Sequence, residues 1–289
     1  MDLRYELHPR HFVRRFFLDV WAELDADAAA ERAREGRTRD LRPLWVFASA
    51  AVFLTLMDAW GMPGDFWVFR DQLADWELEG KLPGTFWQDF DRWDTWAELA
   101  THAWWALWRF FGFAVFPLAV MAATGEKLRD QHLSVRGLRQ HLPIYLLSYA
   151  LVMALVVPLS GTETFQAIYP FHRECGRSWA DLLIWEALYL LQFFGLELFF
   201  RGWMLRSTHA ALGSNAIFAM MVPYVMIHFG KAVPETLGAI FAGIFLGTLA
   251  ARTRSIWGGL LVHGLVAVSM DLLALARSGG LPERLWPLG

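Results

Sequence analysis

Of 289 residues, 56% are hydrophobic and 16% aromatic, and 16 are Trp, a composition more apolar and richer in rings than water-soluble domains of this length carry. The formal charge is -3 and no basic stripe or base-reading motif occurs, so no nucleic-acid partner is expected. The lone Cys175 excludes an intramolecular disulfide and a cysteine-built zinc site.

The first 42 residues carry nine Arg among several acids, a start too charged for a cleavable signal peptide, so the first spanning helix is expected to direct insertion. Within that stretch Phe12, Phe16, Phe17, Val20, Trp21 and Leu24 recur at helical spacing between His11, Arg14, Arg15 and Asp19. The pattern predicts an amphipathic helix lying along the membrane surface.

Seven runs then have the length and apolarity of membrane spans: 43–62, 100–123, 142–160, 181–205, 213–230, 235–251 and 255–275. Breakers separate them at Gly61-Met62-Pro63-Gly64, Gly125, Pro143, Gly161, Gly213, Pro234 and Arg252-Thr253-Arg254. Between the first two runs, Trp67, Trp76, Trp87, Trp93 and Trp96 alternate with acids, as in an external cap at headgroup level. Seven crossings put the two ends on opposite sides. With the amino terminus in the cytoplasm, inside segments hold 16 Lys and Arg and outside segments 8, which favours that orientation. The expected fold is therefore an all-α polytopic membrane protein of about seven transmembrane helices plus interfacial helices. Its parts are a cytoplasmic segment at 1–42, accessory spans with the Trp-rich external stretch at 43–179, and a helical core at 180–277. No internal repeat or low-complexity tract interrupts it.

Charged groups inside the late spans carry the chemistry. An ionised side chain at bilayer depth costs at least ~2.5 kcal/mol, so it is kept where it faces the protein interior and has a partner or a task. Glu197 and Arg201 are four apart and share a helical face, and Glu186, eleven before Glu197, falls on the same stripe. Counted from the turn near Gly213, Glu197 and His228 both lie about 22 to 24 Å away, so an antiparallel pair brings them level. His263 enters from the last span, with Asp271 about two turns beyond it. Two chemistries fit this set. Glu197 or Glu186 with His228 polarises a water while His263 stabilises the oxyanion; or His228, His263 and a Glu hold a divalent metal, although no His-Glu-x-x-His is present. Lys231 and Glu235 flank Pro234; the acid either complements the helix start or adds a carboxylate to the cavity. Gly238, Gly243 and Gly247 read as close helix packing.

Glu197-Leu-Phe-Phe-Arg201-Gly202, Tyr224-Val-Met-Ile-His228 and the late His263 together resemble the CAAX-protease and bacteriocin-processing (CPBP) family of intramembrane endopeptidases, over about residues 180 to 275. The resemblance implies hydrolysis of a membrane-associated protein or peptide without an obligate cofactor. It makes His228 a water-activating residue and His263 the oxyanion donor. The family's water-activating acid is the first motif Glu, and here Glu197, the second, aided by Glu186, is expected to serve as base, with Arg201 holding it ionised and oriented. Two positions depart from the family pattern. Leu196 stands where the first motif Glu belongs, and Ala267 where an Asn or Asp follows His263, for which Asp271 is the candidate substitute. A divergent branch carrying a single motif Glu accommodates the first departure. Both favour the alternative of an inactive homologue that binds a membrane peptide as a scaffold. A proton-coupled transporter is a third reading, without the inverted repeats expected of one. The expected location is a bacterial inner membrane.

Overall fold

The computed structural model describes residues 13–36 and 40–287; His11, Phe12 and the four arginines at 4, 10, 37 and 39 lie outside them. Among the described residues the regular structure is helical, with one isolated bridge between Leu133 and Ser255. The helices are α1 (Asp19–Glu35), α2 (Arg42–Trp60), α3 (Asp65–Leu78), α4 (Ala97–Phe110), α5 (Phe116–Thr124), α6 (Arg136–Leu159), α7 (Trp179–Glu197), α8 (Leu205–Leu212), α9 (Asn215–Met226), α10 (Val233–Thr253) and α11 (Trp257–Ser278). Wider π-helical turns join α4 to α5 at Phe111–Val115 and α7 to α8 at Leu198–Met204.

Six helical stretches are long and apolar enough to cross a membrane: 42–60, 97–124, 138–159, 179–212, 233–253 and 257–278. The chain is thus an all-helical multi-pass membrane protein. Large apolar side chains such as Leu151, Leu155 and Phe241 are exposed, as lipid contact requires. The expected crossing at 213–230 is a correction. Only the 12 residues of α9 are helical there, about 18 Å of rise against a hydrocarbon core of about 30 Å. Pro223 removes a helix donor inside α9, and residues 227–230 fold into turns ending at Gly230 with φ 90°. Apolarity alone had counted these turn residues as helix.

The chain forms two compact units. The first comprises 1–52, 116–143 and 197–260; the second comprises 53–115, 144–196 and 261–289. In the first unit, α1 turns its apolar stripe onto protein. Val20 and Leu24 join Leu205, Ala216, Ile217 and Ala251 in one buried cluster, and the Trp21 indole donates to Thr248 Oγ1 at 3.1 Å. Asp25 accepts the Ser214 N–H at 2.7 Å beside Gly213, whose φ of +58° and lack of a side chain let the two come together. Gly243 and Gly247 bring α10 against Met220, Met221, Ile217 and Tyr224 of α9, whereas Gly238 faces open space. The second unit is built around Trp185, Tyr189, Leu182, Leu99 and Leu275.

Candidate active site

Residues on α7 and the π-helical segment after it form the centre of the first unit. Glu197 and Arg201 are both fully buried and paired, Arg201 Nη1 donating to Glu197 Oε1 at 3.0 Å. The guanidinium also lies 4.0 Å from the centre of the Tyr224 ring, giving the cation a second favourable neighbour in a dry site. Arg201 thus meets Tyr224 across the hairpin whose turn lies at Gly213. Glu197 stands one turn before Arg201, and His228 one turn after Tyr224.

Tyr224 is 1% exposed and packs on Phe200 at 5.4 Å, while His228 sits half-buried in the turn that ends α9. His228 Nδ1 lies 2.8 Å from the Tyr224 carbonyl. A carbonyl only accepts, so Nδ1 carries the hydrogen. The Tyr224 and His228 rings contact at 4.9 Å, and Thr236 donates to the His228 carbonyl at 2.9 Å. Glu235, in the first turn of α10, forms an ion pair with Lys231 at 2.6 Å.

Two further residues shape the site without a signal in the local pattern. Gly259 of α11 faces the Glu197 carboxylate so closely that a Cβ there would collide with both its oxygens and its carbon. His132 comes from the loop between α5 and α6. A π-helical segment releases main-chain carbonyls from the ordinary i to i−4 pattern, and the His132 ring donates from Nδ1 to the Arg201 carbonyl at 2.8 Å. The loop is tied down in turn, since Ile256 N–H donates to the His132 carbonyl at 2.8 Å. Burial pushes the His132 imidazole down to about 4, so it is neutral at physiological pH.

The remaining sequence candidates belong to the second unit. His263 is half-buried and stacks on Phe193 with ring centres 5.5 Å apart and planes 3° from parallel. Glu186 is 8% exposed, and neither of its carboxylate oxygens has a hydrogen-bond partner among the described residues. Asp271 is 1% exposed and accepts the Trp185 indole N–H at 2.7 Å. Eight residues of α11 separate Asp271 from His263, about 12 Å of rise. Leu196 and Ala267, the two departures from the family motifs, are buried apolar positions.

The apolar spanning helices define the class as a multi-pass membrane protein, and within it a buried acid is held by a cation that lies over Tyr224. Residues 178–269 match the family model described as type II CAAX prenyl endopeptidase Rce1-like, in agreement with the CPBP resemblance. The matched segment is about a third of the chain and contains Glu197, Arg201, Tyr224, His228 and His263. No curated protein and no solved structure matches the chain. The match groups this segment with CAAX-type intramembrane proteases.

Proposed function

We propose that the chain is an intramembrane endopeptidase that cleaves a membrane-associated protein or peptide with a water activated by Glu197 and His228. The observation that carries this reading is the dry Glu197–Arg201 pair, with Arg201 on Tyr224 and His228 one turn away, inside the family-matched segment. In the proposed reaction Glu197 takes a proton from water, and the resulting hydroxide attacks the peptide carbonyl carbon. The carbonyl oxygen becomes an oxyanion, for which the CPBP resemblance makes His263 the donor. The proton then passes to the leaving amine as the C–N bond breaks. His228 positions the water and shares the proton. Arg201 holds and orients the Glu197 carboxylate through their buried ion pair. Glu186, Tyr224, Glu235 and Asp271 are assigned accessory roles: Tyr224 flanks Arg201, Glu235 is an additional carboxylate, Asp271 stands in for the residue the family places after His263, and Glu186 is a second candidate base. The family resemblance implies no obligate metal, and the chelator arm of the test below decides on the alternative in which His228, His263 and a Glu hold a divalent ion.

The reading is tested by incubating purified chain, in detergent and in proteoliposomes, with membrane-anchored peptides, with and without a chelator. Wild-type cleavage that disappears in Glu197→Gln, His228→Ala and His263→Ala is the expected result. Cleavage retained by His228→Ala overturns the assignment. Tight peptide binding with no turnover by the wild-type chain replaces the peptidase with the scaffold reading that Leu196 and Ala267 suggest.

A further inference from the structure

Away from the Glu197 centre, Glu98, His102 and His172 of the second unit bring one ligand atom each to within 4.8 Å of the others. Glu98 and His102 are one turn apart at the start of α4. His172 arrives from the loop before α7, and its side chain is completely buried.

The surroundings are already ordered around this trio. Glu98 accepts the main-chain N–H groups of Arg173 at 2.7 Å and Glu174 at 3.0 Å, which holds the loop at the helix start. His102 Nδ1 donates to the Glu98 carbonyl at 2.9 Å. The Phe171 main chain also reaches this ring. His172 is the anomaly: Nδ1 stands 3.4 Å from Glu98 Oε2, and neither ring nitrogen makes a well-formed hydrogen bond. The two imidazoles face each other at 5.4 Å, and the Trp185 ring walls off both at 5.2 and 6.1 Å. A polar ring sealed from water without a well-formed hydrogen bond is destabilising unless something supplies one.

We infer that Glu98, His102 and His172 bind a divalent cation of the zinc type that clamps the 169–177 loop to the start of α4. Two imidazoles and one carboxylate suit zinc, whereas an oxygen-seeking ion such as magnesium or calcium would want more carboxylates and carbonyls. Around a tetrahedral zinc at ~2.0–2.1 Å the donor atoms stand about 3.3 to 3.4 Å apart, so the three ligand atoms, now within 4.8 Å of one another, draw together on binding. The His102 bond to the Glu98 carbonyl is the outer-shell contact that metal-binding imidazoles ordinarily make. A fourth position is left for water or the Phe171 carbonyl. The inference is independent of the peptidase reading, because the site shares no residue with it.

The test uses the full-length chain in detergent, purified with a tag that contains no histidine, and loaded with Zn2+ or Co2+. About one zinc per chain should survive dialysis, and cobalt should develop the visible bands of a four-coordinate nitrogen–oxygen site. Chelator should lower Tm and zinc restore it. His172→Ala should lose zinc, the cobalt bands and the zinc response of Tm, whereas His228→Ala and His263→Ala should keep all three. If His172→Ala does not fold, Glu98→Gln decides: weakened cobalt bands support the site and unchanged bands overturn it. A wild-type chain that takes up neither metal, or loses it on His228→Ala instead, also overturns the inference.

Discussion

Removing the carboxylate at 197 leaves the fully buried Arg201 guanidinium charged without its partner. Breaking a buried pair by deleting one partner costs about 3–5 kcal/mol, because the remaining charge is uncompensated. Glu197→Gln is therefore expected to lower the unfolding free energy by roughly that amount and to reduce cleavage by about 10²–10⁴-fold. The two effects separate in Glu197→Gln/Arg201→Met, which should regain most of the stability in denaturant titration and none of the cleavage. A double variant as unstable as the single one would mean that the pair is not the source of the cost. Gly259→Ala offers a quieter probe. Its new methyl would push the Glu197 carboxylate aside, at about 1–3 kcal/mol of overpacking, and should impair cleavage although the alanine itself has no polar atom. Unimpaired cleavage by Gly259→Ala would show that Glu197 need not hold its position.

Between Glu197 and Leu205 the chain departs from α-helical geometry, and this element depends on a loop remote in sequence. His132 is neutral when folded, and its imidazole is held well below the ordinary value of 6.5, at about 4. The unfolded chain therefore binds more protons than the folded one between those two values, and stability rises with pH across that window. Unfolding free energy should fall as pH drops from 6.5 toward 4, by at most about 3 kcal/mol from this residue. His132→Gln should flatten the slope, as followed by chemical denaturation at several pH values; an equal slope in both proteins would refute the assignment. Docking of α1 makes a second element-scale prediction. Leu24→Ala, which empties part of the cluster with Leu205 and Ile217, should cost about 2–3 kcal/mol and make α1 the first segment cut by protease. Equal protease resistance would sink it.

How legible these elements were follows from the distance between interacting residues. The Glu197–Arg201 pair and the Tyr224–His228 pair are four-residue spacings, which any helix turns into contacts. The stripe of Phe16, Val20 and Leu24 was equally visible, but it was read as lying on the membrane surface, whereas Val20 and Leu24 pack on protein, because lipid and protein both accept an apolar face. His132 lies 69 residues from Arg201 in sequence, and its αR-disfavoured φ of 57° leaves no periodic trace. Glu98 and His102 share a helical turn, whereas the loop carrying His172 makes them a cluster only after folding.

At the scale of the whole molecule, the arginine-rich start and the Trp-rich stretch are separated by one spanning helix, α2. Arg34→Cys and Trp93→Cys, both at exposed positions, should accordingly react with an impermeant maleimide from opposite faces of sealed vesicles. Labelling of both from one face would overturn the topology. The native Cys175 is a suitable silent background. It is 0% exposed, and burial followed by the negative field of Asp271 and nearby carboxylates pushes its thiol up, away from the reactive thiolate. Apolar runs long enough for a bilayer, the pairing of an acid with a base one turn away, and the order of the motifs all follow from sequence, because each depends on neighbours along the chain. The shortness of α9, the room at Gly259, the anchoring of Arg201 by His132 and the meeting of Glu98 and His102 with His172 were decided by tertiary structure. Each depends on which remote groups compete for the same space and the same hydrogen bonds, and spacing along one chain does not encode that competition.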